Sequence, residues 1–416
     1  MAPDELSFSE PTAWKDIYQR QTLDRPPQWS GKPPGVIDDN FISAPAREHA
    51  RLRKAFNPAF SEKASRDYEP IATRYIEILI QKFQSAPEDV FDLVKWLNYL
   101  EFDTLMDLGW GENFDCLGTE KFSPWISFVL LLKEKLIGCS IKYYPWLDAL
   151  TPYIMPPSAK KQIDELLGVC RSKTEARLSR KEAPNRRDFF FNVLSEKSAT
   201  LDISPREMDQ AALTLIVAGS EPITSALVGT INYLLGNKDK LQKLQREIRS
   251  SFQSPSNISG TATSELPYLN AVIREGLRLC PPLPANLPRL VPPQGLDIAG
   301  VVVPGGTTVS TGLWVQCQSA SNFSQPTAFI PERWLNDPTS ITTTDRKEAF
   351  QPFSLGQRNC IGQSLAWLEM RLVLAQLIWN FDMSVPEERT LPIWREQNIL
   401  WSWEKAPLYA KLTPRK

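Results

Sequence analysis

The chain has one histidine, His49, in 416 residues. A single imidazole cannot build a multi-histidine metal centre and nearly rules out His-based nucleophile triads. No G-x-S-x-G elbow is present, so hydrolase chemistry has no support. Six cysteines scattered over this length are not the framework of a disulfide scaffold, and they predict a reducing, cytosol-facing compartment. Neither sign of charge is in surplus. With 47 basic and 48 acidic residues the net charge is −1, without the basic excess that nucleic-acid binding uses. The most apolar early stretch, residues 125–132, is interrupted by Ser127 and followed by Lys133. It falls far short of the roughly 20 residues of a spanning helix, and the polar N-terminus, Met1 to Glu5, shows no signal peptide. Repeats and low-complexity tracts are absent, and the 35 prolines are distributed, as in loops and turns.

What is present is a sizeable core. Hydrophobic residues make up 42%, and the length alone would suggest two or three domains. Helical patterns dominate. Residues 48–60 read as a basic helix, and 66–83, 92–109, 122–138 and 158–181 carry apolar spacing near 3.6. The clearest helix opens at Ser204-Pro205-Arg206-Glu207, where Ser204 fits the N-cap, Pro205 the first helical position and Glu207 a capping box. Its apolar residues run to Leu235, and Gly236-Asn237 ends it after about 30 residues. A helix with Leu241, Leu244 and Ile248 on one face follows, then one over 269–279 that Pro281, Pro282 and Pro284 stop. From 296 to 309 the pattern is of short strands around a Pro304-Gly305-Gly306 turn. The chain is therefore predicted to be mainly α with small β-sheets.

Chemistry points first to Cys360, in the run Phe353-Ser354-Leu355-Gly356-Gln357-Arg358-Asn359-Cys360-Ile361-Gly362, directly before a helical segment. Gly356 and Gly362 let the backbone turn sharply and approach a flat group. Arg358 offers a planar fork for a carboxylate. A helix N-terminus and metal coordination both favour a thiolate. A lone cysteine is usually an inert buried hydrophobe, but five specified positions in ten residues argue otherwise.

This run resembles F-x-x-G-x-R-x-C-x-G, the signature of the cytochrome P-450 heme-thiolate enzymes. The resemblance extends from about Glu5 to the C-terminus and looks closest to fungal secondary-metabolism members. It implies one catalytic domain over 1–416, the triangular-prism fold, with a long central helix over heme b, whose iron takes Cys360 as axial thiolate. Glu275 and Arg278, an E-x-x-R pair, with Arg333 of Pro331-Glu332-Arg333, match the family's buried triad, which holds the cysteine loop. On spacing alone such a pair would be a solvated surface contact. His49 and Arg53, at i and i+4, with Arg289 and Arg358, match its propionate contacts; Phe353, Gly356 and Gly362 complete the cofactor-binding set.

Two departures stand out. The family pattern A-G-x-D/E-T-T appears as Ala218-Gly219-Ser220-Glu221-Pro222-Ile223-Thr224, with proline for the alcohol. Proline donates no proton and deletes a helical hydrogen bond, which would sharpen a bend. Either Thr224 or water substitutes, with Glu221 and Thr224 as the catalytic pair, or efficient oxygen activation is lost. At the N-terminus, the segment from Asp4 resembles the part of family members that comes after their anchor, first helix and strand, so those elements are expected to be missing. The implied function is a monooxygenase acting on a small hydrophobic terpenoid or polyketide, with dioxygen and an NADPH-cytochrome reductase. Arg51 and Lys54 are candidates for the reductase face, and Trp146 and Tyr153 are examples of the apolar, aromatic selectivity region. The alternatives are a heme-thiolate enzyme that rearranges, dehydrates or cyclises without inserting oxygen, and an inactive heme-binding remnant. The expected state is a monomer, cytoplasmic or peripheral at the cytosolic face of the endoplasmic reticulum, without nucleic acid.

Overall fold

The computed structural model describes residues 3–20, 23–26, 40–86, 89–121, 150, 153, 156–179, 188–193, 203–335, 342–399 and 402–415. The predicted segment 122–138 lies outside them. The principal helices are α1 (Ala46–Phe56), α2 (Glu62–Ser85), α3 (Leu93–Trp110), α4 (Pro157–Ser179), α5 (Pro205–Gly236), α6 (Lys238–Ser251), α7 (Pro267–Leu279) and α8 (Gln363–Asn380).

Local chemistry sets their ends. The Ser204 hydroxyl accepts from the Glu207 N–H while Glu207 accepts from the Ser204 N–H, so the predicted capping box starts α5. Asp92 caps α3 through the Val94 N–H, and Gly111, at φ 71°, closes it in the left-handed conformation. Helix α5 is long and apolar enough to cross a membrane, but that stretch is mostly buried inside the protein. It packs against α3, α4, α7 and α8, as a core helix does. Gly219 is what lets α3 come close: a Cβ there would meet Leu105 Cδ1 at 2.8 Å.

The sheets are small. Strand β1 (Glu5–Phe8) runs parallel to β6 (Thr308–Thr311), whose other edge pairs antiparallel with β3 (Arg289–Leu290). Strand β8 (Tyr409–Pro414) lies between β2 (Val90–Asp92) and β7 (Phe381–Ser384), and β4 (Leu296–Ile298) forms a hairpin with β5 (Val301–Val303). The first sheet covers a cluster of Trp14, Ile17, Tyr18, Val309 and Leu313, separate from the main helical core. The register that sets Arg289 opposite Val309 turns the arginine inward, 2% exposed.

The E-x-x-R pair is fully buried. Glu275 Oε1 accepts from Arg278 Nη2 (2.8 Å), Arg333 Nε (3.0 Å) and the Ile330 N–H (2.9 Å); Oε2 accepts from Arg278 Nε and Trp334 Nε1, both at 2.9 Å. Arg278 gives its other donors to the Cys317, Pro326 and Ala328 carbonyls, and Arg333 pairs with Asp345. The cluster ties α7 to residues 324–334 and to Asp345, which precede the cysteine loop in sequence. Removing one partner leaves buried charge uncompensated, at about 3–5 kcal/mol. Glu275→Ala is therefore expected to lose the folded cysteine loop, read as loss of bound heme on purification. A normal heme content would contradict this.

A second buried acid cluster was not anticipated. Glu101 of α3 and Glu369 of α8 are buried near each other, 1% and 2% exposed, and both oxygens of Glu369 lack a hydrogen-bond partner. Burial pushes Glu369 up to about 8 and Glu101 well above the ordinary carboxyl value, where the charge of Glu369 adds to the rise. The folded state thus holds protons that the unfolded chain releases. The stability they contribute is present below the ordinary carboxyl value of 4.5 and is lost as pH rises through about 8. The melting temperature is expected to fall by several degrees between roughly pH 5 and pH 9, and Glu101→Gln/Glu369→Gln should flatten that slope. Thermal denaturation across the range decides it.

Candidate active site

The loop 353–362 is bent by two residues with positive φ, Ser354 (59°) and Gly356 (72°), and is closed by the Cys360 N–H donating to the Phe353 carbonyl at 2.8 Å. Gly356 is required twice over. Besides its φ, a Cβ would stand 1.9 Å from the Tyr18 carbonyl oxygen. Gly362 differs from expectation. Its φ is an ordinary −84°, and nothing lies within 4 Å of where a Cβ would be. What it provides is open space two residues from Cys360 rather than a turn. Phe353 is half-buried, its ring 6.2 Å from that of Trp367.

Among the described cysteines, Cys116, Cys170, Cys280 and Cys317 are buried and Cys360 is accessible. Cys360 is exposed as a residue, while its thiol is desolvated by neighbouring protein atoms. Burial raises its pKa; a hydrogen bond from the Gly362 backbone and the charge of Arg53 act the other way. The predicted lowering at the helix N-terminus is therefore outweighed by desolvation in the protein alone, and metal coordination would have to complete the deprotonation.

Arg53 does not stand as a free propionate ligand. It donates to the Asn359 carbonyl (2.6 Å), to Asn359 Oδ1 (2.7 Å) and to Asn57 Oδ1 (2.9 Å), bracing the residue before Cys360 from α1. Four arginines, Arg25, Arg53, Arg289 and Arg358, surround His49; burial and their charge drive its pKa down to about 3, so it is neutral. Arg25 and Arg289 are lowered to about 9 and about 10, by burial first and then by neighbouring arginines. Arg358 donates to the Ala44 carbonyl at 2.8 Å and reaches Asp24 at 3.4 Å. Its Nε and Nη1, together with Arg25 Nε and His49 Nδ1, are buried without partners. Such orphaned donors in a cationic nest call for an anion. A flat macrocycle carrying carboxylates fits this set: one accessible thiol, open space beside Gly362 and convergent unsatisfied donors. Sequence reasoning missed Arg25; nothing in the spacing of Asp24-Arg25-Pro26 marks it.

Helix α5 runs unbroken through Pro222, which has no N–H for the Ala218 carbonyl. Ala218 is exposed and Pro222 half-buried, four residues apart on one helix face. Thr224 does not turn its hydroxyl to that face. It is fully buried and its hydroxyl reaches the Leu97 carbonyl of α3 at 3.5 Å, because its position turns it into the helix interface. Glu221 is instead met by Lys405 Nζ at 2.5 Å and by Ser225 Oγ at 3.0 Å. Arg51 pairs with Glu48 and Glu207 rather than presenting an unengaged charge, while Lys54 is exposed. Tyr153 is 85% exposed and so lines no enclosed site in the described residues; Trp146 lies outside them.

The two loop glycines are expected to respond differently. Gly356→Ala should cost several kcal/mol, on the order of a lost core contact, through backbone clash. Gly362→Leu should leave the melting temperature of the apoprotein within a few degrees of wild type yet abolish heme uptake. Retained heme in Gly362→Leu would show that the open space is not the cofactor's.

A model described as cytochrome P-450 matches residues 9–410. Curated relatives align along the whole chain. A cytochrome P-450 monooxygenase, astA, of Talaromyces wortmannii is 35% identical, covering 100% of this chain and 84% of its own length. The averantin hydroxylase of Dothistroma septosporum is 36% identical, covering 100% and 79%. The trichothecene C-4 hydroxylase of Trichoderma arundinaceum is 36% identical, covering 100% and 84%. With the cysteine loop, the buried Glu275 triad and a match over nearly its whole length, the chain belongs to the cytochrome P-450 family of monooxygenases.

Proposed function

We propose that the chain is a heme b monooxygenase that inserts oxygen into a small hydrophobic secondary metabolite of terpenoid or polyketide type, using electrons from an NADPH reductase. The observation that carries this reading is the one accessible thiol among the described cysteines, set in a loop beside buried, unpartnered cationic donors. Two relatives are named as hydroxylases, of averantin and of the trichothecene C-4 position, which supports oxygen insertion.

In this reading Cys360 ligates the iron, and Arg25, Arg289, Arg358 and neutral His49 take the propionates. Arg53 acts through Asn359 by holding the loop, and its charge favours the thiolate. When bound, the heme supplies dioxygen activation, with the thiolate donating electron density. Glu221 moves protons at its carboxylate, and Ala218 and Pro222 form the accessible helix face beside it. Exposed Lys54 belongs to the reductase-facing side, whereas Arg51 is engaged with Glu48 and Glu207.

The second reading, rearrangement or dehydration without oxygen insertion, is favoured by one observation: neither Pro222 nor Thr224 offers a hydroxyl on the accessible face.

The reduced, carbon-monoxide-bound spectrum tests the ligand: a thiolate-type Soret band is expected in wild type and not in Cys360→Ser. Arg358→Ala is expected to weaken heme retention about tenfold or more, since an Arg–carboxylate pair is lost. Labelled dioxygen with NADPH and a reductase then separates the chemistries. Label in the product supports insertion; turnover to an unlabelled product establishes the second reading and overturns the first.

A further inference from the structure

Glu221 is a buried carboxylate on the core helix α5, and its cation comes from the far end of the sequence. Lys405 Nζ lies 2.5 Å from Glu221 Oε1 and 3.0 Å from Ser225 Oγ, and Ser225 Oγ donates to the same Glu221 oxygen at 3.0 Å. The Lys405 side chain is 4% exposed, so this is not a surface pair. Glu221 and Ser225 share one face of the helix at i and i+4, and Pro222 comes directly after Glu221.

The loop that delivers Lys405 is fixed from both sides. Trp403 is fully buried, donates to the Pro281 carbonyl at 2.8 Å and packs edge-on against Trp314 and Trp394. The Ala406 N–H donates to Gln397 at 2.6 Å, and the Glu404 N–H to the Asn398 carbonyl at 3.0 Å. Lys405 thus lies between two anchored residues. A lysine on a mobile loop would lose side-chain entropy on docking; here the backbone is already held. Glu404, the neighbouring charge on the loop, is exposed and bonded to the Asn398 side chain. On the other flank of the helix, Thr224 turns to the Leu97 carbonyl and brings no charge.

We infer that Lys405 is a positioning residue: from the C-terminal loop it holds Glu221 ionised and aimed along α5, in place of the helix hydroxyl that Pro222 removes. This rests on the monooxygenase reading for its consequence but not for its geometry. A buried carboxylate that loses its cation takes up a proton at neutral pH. Glu221 would keep the Ser225 hydroxyl, but once protonated it is a poor conduit for protons, and reducing equivalents would then leave as hydrogen peroxide rather than product.

The test uses infrared spectroscopy on the ferric holoprotein without substrate, and turnover with NADPH and reductase. At neutral pH, Lys405→Met is expected to gain a protonated-carboxyl band beyond that of the Glu101–Glu369 pair present in wild type, and Glu221→Gln/Lys405→Met should lose the added band. Product per NADPH should fall on the order of tenfold with peroxide making up the difference, and the pH profile should shift; Lys405→Arg should restore both. Unchanged band, coupling and profile in Lys405→Met overturn the inference. If Lys405→Met does not fold, wild type minus Glu221→Gln carries the test: no protonated-carboxyl band at neutral pH supports it, and a band there overturns it. The infrared arm reads Lys405 whether or not oxygen is inserted, whereas a missing Soret band or unlabelled product would fail the monooxygenase reading alone.

Discussion

Glu275 accepts five hydrogen bonds from four residues without contact with water, and much of the cysteine side of the molecule hangs from it. Its two arginines reach the carbonyls of residues 317, 324, 326 and 328 and the carboxylate of Asp345. Two cations, two carboxylates and a row of backbone oxygens thereby satisfy one another. Each alone would be prohibitive to bury; together they fix residues 324–334 and Asp345 against α7. Further along, in the Phe353–Gly362 turn, Gly356 passes against the Tyr18 carbonyl.

The cysteine loop shows the opposite electrostatics. Around His49, cations outnumber partners, and several donors have none. A protein interior tolerates such an excess only where an anion completes it. Desolvation lowers Arg25 and Arg289 and raises Cys360, so both the cations and the thiol are held in a costly state that ligation by a carboxylate-bearing, metal-containing group would relieve. Arg53 works differently from its neighbours. By engaging Asn359 it converts part of the excess charge into rigidity of the loop, at the point where the thiol must not wander.

Helix α5 links these two regimes. On one flank it packs against α3, with Gly219 meeting Leu105 and Thr224 meeting Leu97; on another it carries Glu221 toward Lys405. Glu101 of α3 and Glu369 of α8 are buried carboxyls that burial pushes above the ordinary value, and α8 begins just after Cys360. Acidic groups on the core helices are thus resolved in two ways, by a lysine in one case and by retained protons in the other.

Much of this was legible in the chain. The Ser204–Glu207 capping box, the Gly236 terminus, the helices over 62–85, 93–110 and 267–279 and the strands around Pro304 arise from local periodicity and capping, which act within a few residues. Phe353 to Gly362 announced a thiolate loop because glycine, arginine and cysteine at fixed offsets are a local pattern. Residues whose partners lie far along the chain were not legible. The engagement of Arg53 with Asn359, the inward turn of Thr224, the nest that includes Arg25, and the meeting of Glu221 with Lys405 all join residues remote in sequence, as does the closeness of Glu101 to Glu369. Sequence alone determined the elements and the identity of the axial thiol candidate, because these depend on short-range sterics and hydrogen bonding. Only the tertiary structure decided which charges are paired, protonated or left waiting for a ligand, because burial and long-range proximity set those energies.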